Sequence, residues 1–246
     1  MKTIFISLLL CIFSSTVFAS VGPLAAKCQQ KLKNYGSVWM QYNDYTATDF
    51  YSANKKKRLP SAVVTYISNG ESVYRDTKHV GKYKFYGWNA KLLKNEKIYS
   101  LDINNKEGIL YTKSDEKYRG ELLSCQYLPV ALGFLLPDKL KSGNSKADSI
   151  VYGFKESTVE LINGMEYQCE IYTGLQPTTS YIKYKLYFLN EVPVMFSEDG
   201  NNMEIIKISG LDNTSSLDVP RGFTIYAPSD NDMTALLKQK IVLESY

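Results

Sequence analysis

The stretch AVVTYISNGESVY, from Ala62 to Tyr74, decides the fold class of this chain. It contains two short segments rich in Val, Ile and Tyr, and the turn signal Ser68-Asn69-Gly70 lies between them. Alternation with a period of two places apolar side chains on one face of a β-strand, and an Asn-Gly pair favours a tight turn. The stretch therefore predicts two antiparallel strands with one buried face.

Strands of the same kind are predicted along most of the chain. Short turn signals such as Asn163-Gly164 separate them, and no linker rich in Gly, Pro or Ser divides the chain. Many closely spaced strands favour a large antiparallel sheet that is curled or closed so that its edges are not left open. We therefore expect one mainly β domain over residues 20–246. The further predicted strands are Val38–Tyr42, Lys82–Trp88, Lys97–Ile103, Gly108–Thr112, Ile150–Phe154, Thr158–Ile162, Tyr167–Tyr172, Ile182–Leu189, Val192–Ser197, Glu204–Ile208 and Phe223–Tyr226.

Two segments interrupt this alternation and predict helices. Pro23–Lys33 predicts a short helix that carries Cys28, and Ser229–Leu243 predicts a C-terminal helix. For the second helix, Ser229 or Asp230 is a suitable N-cap residue. Its expected apolar stripe consists of Met233, Leu236, Leu237 and Ile241.

Residues 1–19 have the pattern of a cleavable secretory signal peptide. Lys2 gives a positive start, Ile4–Phe13 is uncharged, and Val17-Phe18-Ala19 forms a small-residue cleavage site. The apolar run is too short to span a bilayer, which needs roughly 20 apolar residues. Leu8-Leu9-Leu10 lacks the small residue that a lipoprotein signal places before its cysteine. We therefore expect a soluble exported protein that has no lipid anchor.

The charge of the chain does not favour a nucleic-acid partner. The formal net charge is +4, from 29 Lys and Arg residues and 25 Asp and Glu residues. Such a small and mixed charge leaves no broad basic surface. The densest basic run, Lys55–Arg58, favours a solvated loop over contact with an anionic membrane or a polyanion.

Three cysteines remain after the predicted cleavage: Cys28, Cys125 and Cys169. In an oxidising compartment we expect two of them to form a disulfide, which leaves the third one buried, free or intermolecular. The residues alone leave all three pairings open.

The sequence favours a protein that is not an enzyme and has no cofactor. Its one histidine, His79, lies in a polar turn, and the chain lacks Gly-x-Ser-x-Gly, Walker, Rossmann and His-x-x-x-His patterns. The cysteines lack zinc-site spacing. The carboxylates Asp115-Glu116 and Glu156 with Glu160 leave a secreted glycosidase as a less favoured alternative.

Two oxygen-rich clusters are candidate calcium-binding segments. Glu198–Asn202 and Ser229–Asp232 offer suitable oxygen atoms, but neither has EF-hand spacing, and turn or helix-cap chemistry also accounts for both. We therefore predict no metal site. Asn213-Thr214-Ser215 is a glycosylation acceptor if the source is a eukaryote.

The segment ELLSCQYLPVALGFLLP, Glu121–Pro137, is almost free of charge. It fits a crossover or broken helix that fills one face of the sheet as core, and it also fits the wall or lid of an apolar ligand cavity. The sequence does not separate the two interpretations. In the second one, the ligand-binding residues are Leu128, Val130, Leu132, Phe134 and Leu135.

The order of several short motifs resembles the ependymin-related secreted glycoproteins and the LolA-like fold of bacterial lipoprotein carriers. The similarity extends over most of residues 28–226. The motifs are Cys28, Trp39, Ser61–Tyr66, Lys97–Ile103, Leu128-Pro129, Gly164–Cys169, Tyr184–Phe188, Val192-Pro193-Val194 and Leu217–Phe223.

The resemblance implies a curved antiparallel sheet, half-closed like a barrel, with helices over its concave face and an apolar cavity between them. It implies a secreted or periplasmic protein, or a lysosomal one in a eukaryote. It also implies a disulfide between Cys28 and Cys169, which leaves Cys125 as a lone buried thiol. The chain departs from the family pattern where cysteines are missing near Lys106–Gly108 and after Phe223.

Two functions of different classes follow from these observations. The first is a secreted protein that binds a lipid, a fatty acyl chain or another hydrophobic small molecule in the implied cavity. The second is an extracellular structural or adhesion glycoprotein of ependymin type, with calcium as a candidate associated ion. Its twenty tyrosines would supply rigid contact area at the outer surface.

We predict that exported protein begins at Ser20, because small residues precede this position as signal peptidase requires. N-terminal sequencing of secreted material checks the prediction. Exported protein that retains Met1 would contradict it.

Overall fold

The computed structural model describes residues 20–44, 62–79, 83–85, 89–198, 201–212, 217–228 and 241–243. The predicted signal peptide, the basic run Lys55–Arg58, the acceptor Asn213 and most of the predicted C-terminal helix lie outside the described residues. The side chain of His79 lies outside them as well.

The described chain is mainly β, with a large curved antiparallel sheet and a few helices, as predicted. The strands are β1 (Ser37–Asp44), β2 (Ala62–Ser68), β3 (Val73–His79), β4 (Tyr83–Phe85), β5 (Ala90–Lys94), β6 (Lys97–Asp102), β7 (Glu107–Tyr111), β8 (Tyr152–Ile162), β9 (Met165–Gly174), β10 (Lys183–Leu189), β11 (Val192–Glu198), β12 (Asn201–Leu211), β13 (Thr224–Tyr226) and β14 (Ile241–Leu243). The helices are α1 (Pro23–Leu32), α2 (Tyr118–Gln126), α3 (Val130–Gly133) and α4 (Gly143–Val151), with a 3₁₀ turn at Asp138–Leu140.

Twelve strands form one sheet in the order β13-β7-β6-β5-β3-β2-β1-β12-β11-β10-β9-β8. Neighbouring strands are antiparallel except β13, which runs parallel to β7. The sheet has two ends, β13 and β8, so it is curved but not closed into a barrel. Strands β4 and β14 form a separate antiparallel pair.

Two boundaries differ from the prediction. Ile241–Leu243, predicted as the end of a helix, forms strand β14 against β4, so pairing with a neighbouring strand overrides the local apolar stripe. Ile150 and Val151, predicted as the start of a strand, belong to α4 instead. Helix propensity and strand propensity are both weak locally, and the tertiary context decides between them.

The helices pack against one face of the sheet, which we call the inner face. Strand residues such as Met40, Tyr66 and Leu186 alternate with residues of the opposite, outer face, and they form the main core together with Leu132 and Leu135. The outer face carries two smaller apolar clusters. One surrounds Leu92 and Leu101 and is covered by Leu217, and the other consists of Cys169, Ile171 and Tyr187.

The start of α1 is fixed to strand β9 by the buried carboxylate of Glu170. Gly22 precedes the helix and offers no side-chain cap, so the first N–H groups need another acceptor. The N–H groups of Leu24 and Ala25 donate to the two carboxylate oxygens of Glu170 at 2.6 and 3.2 Å. The hydroxyl of Tyr172 donates to Glu170 at 2.7 Å and accepts a hydrogen bond from the N–H of Gly22 at 3.2 Å. Negative charge at a helix N-terminus is favourable.

This contact also determines two local properties. Burial and the charge of Glu170 raise the pKa of Tyr172, which keeps its hydroxyl protonated as a donor. A side chain at Gly22 would collide with the Glu170 carboxyl group. The first turn of α1 is therefore held tightly to the sheet.

The disulfide between Cys28 and Cys169 that the resemblance implied is wrong for this structure, in which both thiols are free. Cys28 lies in the core of the inner face, whereas Cys169 lies in a cluster of the outer face, so the sheet separates them. Cys125 is buried and free, as predicted. Burial raises the pKa of Cys28 to about 11 and the pKa of Cys125 and Cys169 to about 12.

Replacing Glu170 by Gln should lower the free energy of unfolding by about 1–3 kcal/mol, because the amide carries no charge and one of its two ends cannot accept a hydrogen bond. Urea unfolding measures the change. Glu166→Gln, an exposed position on the same strand and face, is the matched control and should change stability by about 0.5 kcal/mol or less. Equal effects of the two substitutions would contradict this role of Glu170.

Candidate functional site

The structure brings all five predicted ligand-binding residues together on the inner face. Leu128, Leu132, Phe134 and Leu135 are buried in the main core, and Val130 is partly buried against it. The ring of Phe134 stacks on that of Tyr172, with 3.9 Å between the ring centroids. These side chains therefore lie in a packed core, and their contact with a ligand stays a prediction.

The segment Glu121–Pro137 begins in α2, turns at Pro129 and continues as α3. Pro129 interrupts the helical path because a proline restricts the residue before it and has no N–H group. The N–H of Ala131 at the start of α3 donates to the carboxylate of Glu198 at 3.1 Å. We call this segment together with the chain up to Val151 the cover, because it lies over the inner face.

Polar contacts fix the margins of the cover to the sheet. The hydroxyls of Tyr66 and Ser142 lie 2.9 Å apart, and the hydroxyl of Ser68 donates to the carbonyl of Leu140 at 2.9 Å. Besides the hydrogen bond from Ala131 to Glu198, the central part of the cover contacts the sheet through apolar side chains. The cover is therefore held by directional bonds at its end and mainly by dispersion and apolar burial in the middle.

A group of polar side chains borders the cover, and we call it the polar margin: Tyr42, Arg75 and Tyr127, with Asp44 and Glu198 close by. The buried Nε of Arg75 has no hydrogen-bond partner among the described residues, and the buried hydroxyl of Tyr42 interacts with the Arg75 side chain. A second nitrogen of Arg75 donates to Thr77 at 2.9 Å, and the guanidinium carbon lies 5.7 Å from the ring centroid of Tyr127.

The electrostatics of the polar margin are mixed. Burial, and then the negative charges of Glu198 and Asp44, raise the pKa of Tyr127 to about 12. Burial also raises the pKa of Tyr42, although the charge of Arg75 opposes this shift. Both tyrosines therefore stay protonated at neutral pH, and the margin offers hydroxyl and guanidinium donors to a polar group.

A separate cavity of about 500 Å³ lies on the outer face. None of the predicted ligand-binding residues lines it. The sequence did not indicate this cavity because its walls come from segments more than a hundred positions apart. A local signal was present in the two lysines that flank the short turn Lys94-Asn95-Glu96-Lys97. The cavity is lined by Lys94, Asn95, Lys97, Tyr99, Asp218, Val219 and Arg221.

Two of the carboxylates considered for glycosidase chemistry, Glu160 and Asp115, accept hydrogen bonds from neighbouring residues. Glu160 accepts hydrogen bonds from Lys185 at 2.7 Å and Tyr187 at 3.2 Å. Burial opposes ionisation of Glu160, but Lys185 and Tyr187 outweigh it and hold the pKa of this carboxyl below its usual value. Asp115 accepts hydrogen bonds from the N–H and the hydroxyl of Thr112.

The described residues contain no group of three or more His, Cys, Asp or Glu side chains arranged to hold a metal ion. Glu198, which begins the first oxygen-rich cluster, contacts α3 instead. Within the same described ranges, each helix is too short or too polar to cross a membrane.

Comparison with known proteins gives distant structural neighbours. No protein-family model matches this chain, and no curated protein sequence matches it significantly. Among solved structures, an uncharacterized conserved protein from Thermus thermophilus has a TM-score of 0.38 and 6% identity, covering 83% of this chain and 99% of that one. LprF from Mycobacterium bovis has a TM-score of 0.35 and 14% identity, covering 83% and 100%.

A LolA superfamily protein from Nitrosomonas europaea has a TM-score of 0.27 and 15% identity, and the match covers 77% of each chain. Likeness at this level is distant and does not identify a function for this chain. The resemblance to the ependymin-related glycoproteins stays a prediction.

Replacing Leu132 by Ala should lower the free energy of unfolding by about 2–5 kcal/mol, because the substitution leaves a void in a packed core. Urea unfolding measures the loss. Leu123→Ala is the matched control, since Leu123 lies in the same segment but is 49% exposed. A loss at Leu132 no larger than that at Leu123 would contradict the packing described here.

Proposed function

We propose that this chain is a secreted, non-enzymatic binding protein for a hydrophobic ligand such as a lipid or a fatty acyl chain. The ligand is held between the inner face of the sheet and the cover. A polar group of the ligand lies at the polar margin, beside Tyr42 and Arg75.

One observation carries the proposal: the cover presents no charged side chain from Leu122 to Pro137, and its central part packs mainly against apolar side chains of the sheet. Movement of this part of the cover exchanges apolar contacts with the sheet for apolar contacts with a ligand. No charged group of this part of the cover has to leave water, so the exchange carries no cost of desolvating a charge.

The polar margin supports the proposal independently. Buried polar groups are nearly always hydrogen-bonded in folded proteins. The Nε of Arg75 is buried and lacks a hydrogen-bond partner among the described residues, and the fully buried hydroxyl of Tyr42 has the Arg75 side chain as its hydrogen-bonding neighbour. A hydroxyl, amide or ester group of a bound ligand would accept a hydrogen bond from Arg75 and contact Tyr42, while the nearby Asp44 and Glu198 disfavour a further negative charge.

Titration with a fluorescent fatty-acid ester tests the proposal, with Tyr42→Phe as the decisive variant. Loss of the buried Tyr42 hydroxyl should lower the free energy of unfolding by about 1 kcal/mol or less, whereas binding should weaken about three- to tenfold because a ligand hydrogen bond is lost. Tyr181→Phe, at an exposed tyrosine, is the control and should bind as the wild type does.

Phe134→Asp provides a second variant, because an unpaired carboxylate in this apolar site should prevent ligand uptake. Circular dichroism establishes that the variant is folded before binding is compared. Absence of saturable uptake by the wild-type protein would contradict the proposed function. Unchanged affinity in Tyr42→Phe would show that the polar margin does not contact the ligand.

A second candidate function is contact with other extracellular molecules through the surface. Strand β8 ends the sheet, and Val159 and Leu161 on it are 66% and 70% exposed. Apolar side chains on an edge strand are a recognised place for contact with another chain. Native mass spectrometry separates the two functions, because a binding protein retains its lipid.

A further inference from the structure

The cavity on the outer face lies beside the turn between β5 and β6. Asn95 and Glu96 form this two-residue turn with φ angles of +49° and +59°. The turn places Lys94 and Lys97 directly opposite each other in the ladder. Like charges in opposed positions destabilise a strand pair, so this arrangement is unfavourable unless an anion lies between or beside the two lysines.

The chain supplies only part of the required negative charge. Lys94 forms an ion pair with Asp218, whose side chain also lines the cavity. Glu96 lies in the turn but pairs with Lys113 at 2.7 Å. In the part of the chain that the structure describes, Lys97 has no acidic partner.

Arg221 adds a third positive side chain to the cavity wall, and it also has no acidic partner among the described residues. Three cations and the one carboxylate of Asp218 give the lining a net charge of +2 (3 − 1). Both Lys97 and Arg221 are exposed, so their charged ends are accessible from solvent.

The remaining lining offers an apolar surface. Tyr99 and Val219 are partly buried and pack against the outer-face cluster around Leu92 and Leu101. An aromatic ring and an aliphatic side chain next to cations suit a ligand with a flat or ring-shaped body and a charged substituent. The volume of about 500 Å³ is sufficient for such a ligand.

We propose that this cavity binds a small organic oxyanion, namely a phosphate or sulfate ester of a ring-shaped body. Lys97 and Arg221 bind the oxyanion, with the guanidinium of Arg221 able to donate two parallel hydrogen bonds. Tyr99 and Val219 contact the ring. The site lies on the face opposite the proposed hydrophobic ligand and does not depend on it.

Calorimetric titration at low ionic strength tests this site with p-nitrophenyl phosphate and p-nitrophenyl sulfate as probes. Lys97→Gln and Arg221→Gln should each weaken binding about threefold or more, as expected for the loss of one accessible charge. Asp218→Asn should strengthen binding about threefold, because it removes the competing carboxylate. Lys183→Gln, at an exposed lysine of β10, is the control and should leave the affinity unchanged.

Two further probes identify the source of the oxyanion. Inorganic phosphate should bind more weakly than the nitrophenyl esters, and Tyr99→Leu should reduce that difference. Vesicles of phosphatidylglycerol separate a lipid headgroup from a free ester. Absence of binding to both esters, a loss in Lys183→Gln equal to that in Lys97→Gln, or binding only to vesicles would overturn the proposal.

Discussion

A carboxylate removed from water needs partners for its oxygens, and the partners of Glu170 among the described residues all lie in one small region. Glu170 accepts hydrogen bonds from the first turn of α1 and from the hydroxyl of Tyr172. The ring of Tyr172 in turn stacks on Phe134 in the cover. The N-terminal helix, strand β9 and the cover are thus joined through one buried acid and one aromatic pair.

The inner and outer faces of the sheet have different chemistry because successive strand residues point to opposite sides. On β5, Leu93 lies in the main core, whereas Leu92 and Lys94 lie on the other side with the outer cluster and its cavity. One sheet therefore separates an apolar interior from a positively charged cavity. The two candidate sites share strands but no lining residues.

The sequence allowed the strands to be predicted because alternation is a local property, as in Ala62–Tyr74, where β2 and β3 were found. It could not predict the strand order, since the pairing of β1 with β12 joins Trp39 to Ser209 across most of the chain. The same limit explains the error at Cys28 and Cys169, whose separation depends on which face of β9 is covered by α1. The cavity could not be predicted either, because Lys97 and Arg221 are far apart in sequence and line one cavity only in the folded chain.

The cysteines show a consequence of this architecture for handling the protein. Cys28, Cys125 and Cys169, the cysteines of the described residues, are buried, and burial keeps their thiols protonated at neutral pH. In the described residues these three cysteines form no disulfide. Alkylating reagents attack thiolates, so their rate of incorporation at these cysteines reports how often the interior opens.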